Sequence, residues 1–229
     1  MSSAHVPPRA SGDREHDLAR ALGMQGSATA ALASGDLAGA EAAIAAAADI
    51  FAAVANWRRF ADAQALRGEI ARASGDTAAA ERSLRAALSV YFAIEDRYLA
   101  VRMLSAIAEL RLSVGAYDEA EELSRQAVER MPGDVAALAG LAYAQWQGGS
   151  PADAEATFGH ALRWDAAAAM ALAGRGQVRA DLGRYEGALH DLSLALLEEL
   201  APEAEADTRS ARALALAGLG RAAEAEAEL

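Results

Sequence analysis

Six glycines punctuate this chain at nearly regular intervals. They open the segments "GDLAGAEAAIAAAA" at Gly35, "GDTAAAERSLRAAL" at Gly75, "GAYDEAEELSRQAV" at Gly115, "GSPADAEATFGHAL" at Gly149, "GRYEGALHDLSLAL" at Gly183 and "GRAAEAEAEL" at Gly220. Their successive separations are 40, 40, 34, 34 and 37 residues. A period of this length restricts the fold more than any single motif does. A unit so short cannot bury its apolar face alone, so neighbouring units must stack to make a continuous core.

Within each unit the small residues keep register with the glycine. Ala40, Ala80, Ala120, Ala154, Ala188 and Ala225 stand five positions after it, and Ala47, Ala87, Ala127, Ala161 and Ala195 seven further on. A spacing of seven keeps both alanines on one helical face, and two helices approach closely only where such side chains are small. Between the alanines lie the large plugs Ile44, Leu84, Phe158 and Leu192, with Ser124 as the exception. The glycine is expected to close the preceding helix in the left-handed conformation, and Asp36 and Asp76 to suit the start of the next. Apolar-periodic stretches such as "VAALAGLAYAQWQG" precede each glycine, so every unit reads as helix, turn, helix.

Composition supports this all-α reading. Hydrophobic residues make up 53% of the chain but aromatics only 5%, and 65 alanines account for the difference. Alanine has the highest helix propensity, and runs of β-branched residues that would mark strands are scarce.

These features resemble the tetratricopeptide repeat family, over residues 14 to 229. The "MPGD" that ends the third unit supplies Pro132 where the family has a closing proline. The resemblance implies a right-handed α-solenoid of antiparallel helix hairpins, of about six repeats with the last incomplete. Residues 1–13, with Pro7 and Pro8, are expected to form a disordered leader. The two 40-residue periods carry six extra residues around "FAAVANWRRF" and "YFAIEDRYLA", implying longer helices as in the family's 40-residue variants. The family's early aromatics in the first helix are mostly replaced by Leu, Met, Gln and Ala. The chain halts at Leu229 within the sixth repeat's second helix, without a helix-end signal or polar capping helix. We expect truncation there, or a bare C-terminal face offered to a second copy as a homodimer contact.

Charge and residue usage exclude several function classes. A formal net charge of −12, with acids spread along the chain and Arg as its only basic residue type besides His, opposes nucleic acid and anionic membranes. With no cysteine there is no disulfide, thiolate metal site or cysteine nucleophile, which fits a reducing, cytoplasmic setting. His5, His16, His160 and His190 lack zinc-ligand spacing, so no metal and no cofactor are expected. No serine sits in a nucleophile-elbow context. "GRGQVRADLG", around Gly174 and Gly176, falls inside a predicted helix and reads as close helix packing rather than a phosphate loop. Glu121, Glu122, Glu198 and Glu199 read as solvated helix faces. The chain is not expected to be an enzyme.

The resemblance implies where binding would occur. In the family the first helices of the repeats line a concave groove for a partner's peptide or helix. Through the glycine register this groove would display Asp62, Glu69 and Arg72, then Arg102, Ser105 and Glu109, then Tyr143, Trp146 and Gln147, then Gln177 and Asp181. The lysines and asparagines that clamp a C-terminal carboxylate in chaperone-binding members are absent. Tyr143 and Trp146, three apart, should share one helix face. Trp57 and Trp164 are expected to pack at inter-repeat junctions. The leading expectation is thus a non-catalytic adaptor that binds a peptide or helix of a partner protein. Its rival is the sensor module of a larger regulator, binding a peptide or small molecule and controlling an effector.

Overall fold

The computed structural model describes residues 11–228. Among them, twelve helices and no strand are found. They are α1 (Ser11–Ala33), α2 (Leu37–Ala53), α3 (Trp57–Ala73), α4 (Thr77–Ala93), α5 (Arg97–Ser113), α6 (Tyr117–Arg130), α7 (Val135–Gln147), α8 (Pro151–Trp164), α9 (Ala169–Asp181), α10 (Tyr185–Ala195), α11 (Pro202–Gly218) and α12 (Ala222–Glu226). Each glycine of the period separates an odd-numbered helix from the even-numbered one after it, the hairpin order of a helical solenoid. The expected leader and His5 fall outside the described residues, except that Ser11 to Asp13 open α1.

The turns explain the period. Gly35, Gly75, Gly115, Gly149, Gly183 and Gly220 all have φ between 71° and 90°. At the first of them, Gly35 N–H donates to the Leu32 carbonyl and Asp36 N–H to that of Ala31, closing α1 as a Schellman motif. Asp36 then caps α2, its carboxylate accepting from Gly39 N–H at 2.9 Å. One residue thereby ends one helix and starts the next.

The same device also joins α2 to α3 and α4 to α5, without a glycine. Ala55 and Glu95 hold φ of 54° and 58° there, and Asn56 and Asp96 are the caps. Helices α2 to α5 each have 17 residues, whereas α6 to α9 have 13 or 14. The additional residues of the 40-residue periods are therefore helical.

Two compact units divide the chain, Met1–Met103 and Leu104–Leu229. In the first, α1 packs on α2, α2 on α3 and α3 on α4. Its core gathers Ala28, Ala40, Ile44, Ala47, Phe51 and Ile70. In the second, α6 packs on α7, α7 on α8, α8 on α9, α9 on α10 and α10 on α11. There the core contains Leu138, Ala154, Phe158, Ala161 and Val178, and a neighbouring cluster contains Ala188, Leu192 and Ala215.

All five plug positions are buried, Ser124 included, as are ten of the in-register alanines at full depth. Glycines face the plugs. A Cβ on Gly68 would stand 2.7 Å from Leu84 Cγ and one on Gly176 2.6 Å from Leu192 Cγ, while one on Gly174 would enter the Phe158 ring. Close helix packing is thus the role of "GRG" within α9.

Candidate functional site

Helices α7, α9 and α11 surround a cavity of about 510 Å³ within the second unit. The α7 register places Tyr143, Trp146 and Gln147 on its wall, and the α9 register places Gln177 and Asp181 opposite them. Helix α11 adds Asp207, Thr208 and Leu214. Five of the eleven groove residues expected from the sequence therefore meet in one cavity, and Asp62 and Ser105 are not among them. Glu69 and Arg72 lie exposed on α3 of the first unit, as does Arg102 on α5, and Glu109 is exposed on α5 within the second. None of these four lines the α7–α9–α11 cavity.

The aromatic wall is held in place from behind. The rings of Tyr143 and Phe158 meet edge-on at 87°, with centroids 5.1 Å apart, and Tyr143 and Trp146 are tilted against each other at 6.2 Å. Phe158 is fully buried, so its contact anchors the Tyr143 ring to the core. Trp146 Nε1–H donates to Asp181 Oδ2 at 2.9 Å and fixes the indole against α9. Burial, followed by the charge of Asp207, pushes the Tyr143 phenol up to about 12. The wall thus combines fixed aromatic faces with carboxylates.

Beneath α9 lies an ionic network that no motif or periodicity marks. Asp191, completely buried, accepts two hydrogen bonds from Arg175, Nε to Oδ2 at 2.7 Å and Nη2 to Oδ1 at 2.8 Å. Arg179 Nη1 donates to the same Oδ2 at 2.8 Å, while its Nε donates to Glu155 Oε1 at 2.8 Å. Arg184 also pairs with Glu155. The network ties α8, α9 and α10 together and satisfies a carboxylate that would otherwise be buried at high cost. A polar residue one position before a plug leucine carries no periodic signal, so spacing does not single out Asp191.

In the first unit, Asp62 is engaged internally. It accepts from Tyr91 Oη–H at 2.7 Å and from Arg58 Nε at 3.3 Å, and Arg58 also reaches Asp96 at 2.6 Å. Tyr91 is buried, and its phenol is raised above the ordinary range by burial and then by that hydrogen bond. Trp57 and Trp164 are 52% and 60% exposed, so junction packing covers less than half of each. Trp164 lies over Gly133 in the "MPGD" turn, and Trp57 meets Phe60 edge-on at 6.1 Å. Glu121 and Glu122 pair with Arg125 on the face of α6.

Among the described residues, no group of three or more His, Asp or Glu side chains is arranged to hold a metal ion, and no helix is long and apolar enough to cross a membrane.

Residues 111–177 match a family model described as tetratricopeptide repeat. No curated protein matches the sequence. Among solved structures, the chain resembles a tetratricopeptide repeat protein from Parabacteroides merdae, with a TM-score of 0.70 and 19% identity over 91% of this chain and 77% of that one. It also resembles TTC0263, a thermophilic TPR protein of Thermus thermophilus, with a TM-score of 0.59 and 25% identity over 73% and 87%. A third likeness is to YrrB, described as a TPR protein with an unusual peptide-binding site, with a TM-score of 0.59 and 17% identity over 92% and 97%.

Proposed function

We propose, from the premise that the chain is a tetratricopeptide repeat protein, that it is a non-catalytic adaptor holding a segment of a partner protein in the α7–α9–α11 cavity. The observation that carries this reading is the convergence of Tyr143, Trp146, Gln147, Gln177 and Asp181 from two helices onto one concave wall. Aromatic side chains already fixed in place supply contact area at little entropic cost, and the amides and carboxylate supply orientation. The peptide-binding site in the description of YrrB supports the same reading. Glu69, Arg72 and Arg102 in the first unit and Glu109 in the second lie outside this cavity and are proposed separately, as exposed polar residues open to partner contact. The net charge of −12 favours a protein partner over nucleic acid, and the reading places the encounter in the cytoplasm.

The test is affinity capture from native cytosol, with the whole chain beside its Tyr143→Ala/Trp146→Ala variant. Circular dichroism must first show equal helicity. A protein retained by the parent chain and lost from the variant is the expected result. Equal recovery by both, or recovery by neither, would overturn the assignment of this cavity.

A further inference from the structure

The α7–α9–α11 cavity contains two carboxylates, Asp181 and Asp207, and no arginine. Its other polar walls are uncharged, Gln147 and Gln177 among them. This one-sided charge matters because every arginine on the three surrounding helices is already committed elsewhere. On α9, Arg175 is bound to Asp191, and Arg179 to Asp191 and Glu155. On α11, Arg209 pairs with Glu205 and Arg212 with Glu228. Helix α7 carries no arginine. The structure thus neutralises the buried Asp191 with two guanidinium groups and leaves the two carboxylates of the cavity without an arginine partner among the described residues.

The aromatic wall adds a second attraction for positive charge. The rings of Tyr143 and Trp146 line the same space, and a cation over such a face is drawn to its negative quadrupole. Asp181 uses Oδ2 to hold the Trp146 indole, and that bond aligns ring and carboxylate side by side. A planar guanidinium or an ammonium entering here would meet ring faces and carboxylate oxygens together, and such charge-assisted hydrogen bonds are the stronger ones. The negative field of the chain would also speed the approach of a basic segment.

We propose that this cavity selects a cationic side chain, arginine or lysine, presented by the partner's peptide. The proposal rests on the adaptor reading above and specifies what that adaptor recognises. Its chemistry is opposite in sign to a carboxylate clamp.

The test uses the whole chain and three pools of short degenerate peptides, capped at both ends, with arginine, leucine or glutamate fixed at the centre. The arginine pool should bind about tenfold more tightly than the leucine pool, with the glutamate pool weakest. Asp181→Asn/Asp207→Asn should bring the arginine pool to the level of the leucine pool, while Glu198→Gln/Glu199→Gln, outside the cavity, should leave the preference intact.

Equal binding of the arginine and leucine pools, both lost in Tyr143→Ala/Trp146→Ala, would overturn the cation selectivity and preserve the peptide reading. An arginine preference that survives Asp181→Asn/Asp207→Asn, or falls equally in Glu198→Gln/Glu199→Gln, would overturn it in favour of a diffuse effect of net charge. Binding of no pool would overturn both readings.

Discussion

The indole of Trp146 donates to the carboxylate of Asp181 at 2.9 Å, joining the end of α7 to the end of α9 across 35 positions of sequence. Both residues also line the cavity, so one hydrogen bond shapes the candidate site and adds to its stability. Trp146→Phe keeps an aromatic ring and removes the donor. It should cost about 1 kcal/mol in urea unfolding, within the usual range for a single hydrogen bond. A loss near zero would show that water replaces the bond at no cost.

The glycines of α9 are packing residues. Gly174→Ala and Gly176→Ala should each destabilise the chain by about 1–3 kcal/mol, because the new methyl meets the Phe158 ring or Leu192 Cγ. Gly26→Ala is the control. That glycine lies inside α1 with nothing within 4 Å of its missing Cβ, so its replacement should stabilise by about 0.5–1 kcal/mol. Thermal unfolding followed by circular dichroism distinguishes the two signs.

Asp191→Ala should be the most damaging of these substitutions. It leaves Arg175 and Arg179, both largely buried, facing an empty space, and breaking such a pair costs about 3 kcal/mol. Chemical denaturation should show the loss, and hydrogen exchange should rise first in α9 and α10, which the network joins. Unchanged protection there would mean that packing alone holds these helices.

Two turns hold a residue other than glycine at positive φ, where six others use glycine. Ala55 and Glu95 occupy the left-handed region that costs an L-residue roughly 1–2 kcal/mol. Ala55→Gly and Glu95→Gly should each raise stability, by about 0.5–1 kcal/mol once the freer unfolded chain is deducted. The midpoint of urea unfolding reads this directly.

Alkaline pH should weaken the fold through its two raised phenols. The folded pKa of Tyr143 is about 12 against an ordinary 10.0, and Tyr91 is raised as well. A proton held more tightly when folded gives stability that is complete below pH 10 and is lost as pH climbs through the folded pKa. Between about pH 10 and about pH 12 the unfolding midpoint should fall, and Tyr143→Phe and Tyr91→Phe should each make that fall shallower.

The local rules were legible in the sequence. Glycine relieves the strain of positive φ at six of the eight turn positions that adopt it, and small alanines let paired helices approach, so Gly35 and its five equivalents, with Ala40 and Ala47 and theirs, reveal the hairpins by spacing alone. The same register carried Tyr143, Trp146, Gln147, Gln177 and Asp181 to one cavity, because residues a whole repeat apart occupy equivalent places on successive helices. Tertiary structure decided which charges are free. Asp62 is consumed by Tyr91 and Arg58, and Asp191 by Arg175 and Arg179, while Asp181 and Asp207 line the cavity with no arginine partner among the described residues. No periodicity marks that difference, because whether a carboxylate is neutralised depends on side chains that reach it from other helices. The contribution of α11 to the cavity was hidden for the same reason: Asp207 and Leu214 meet Tyr143 and Trp146 only once the last hairpins have stacked.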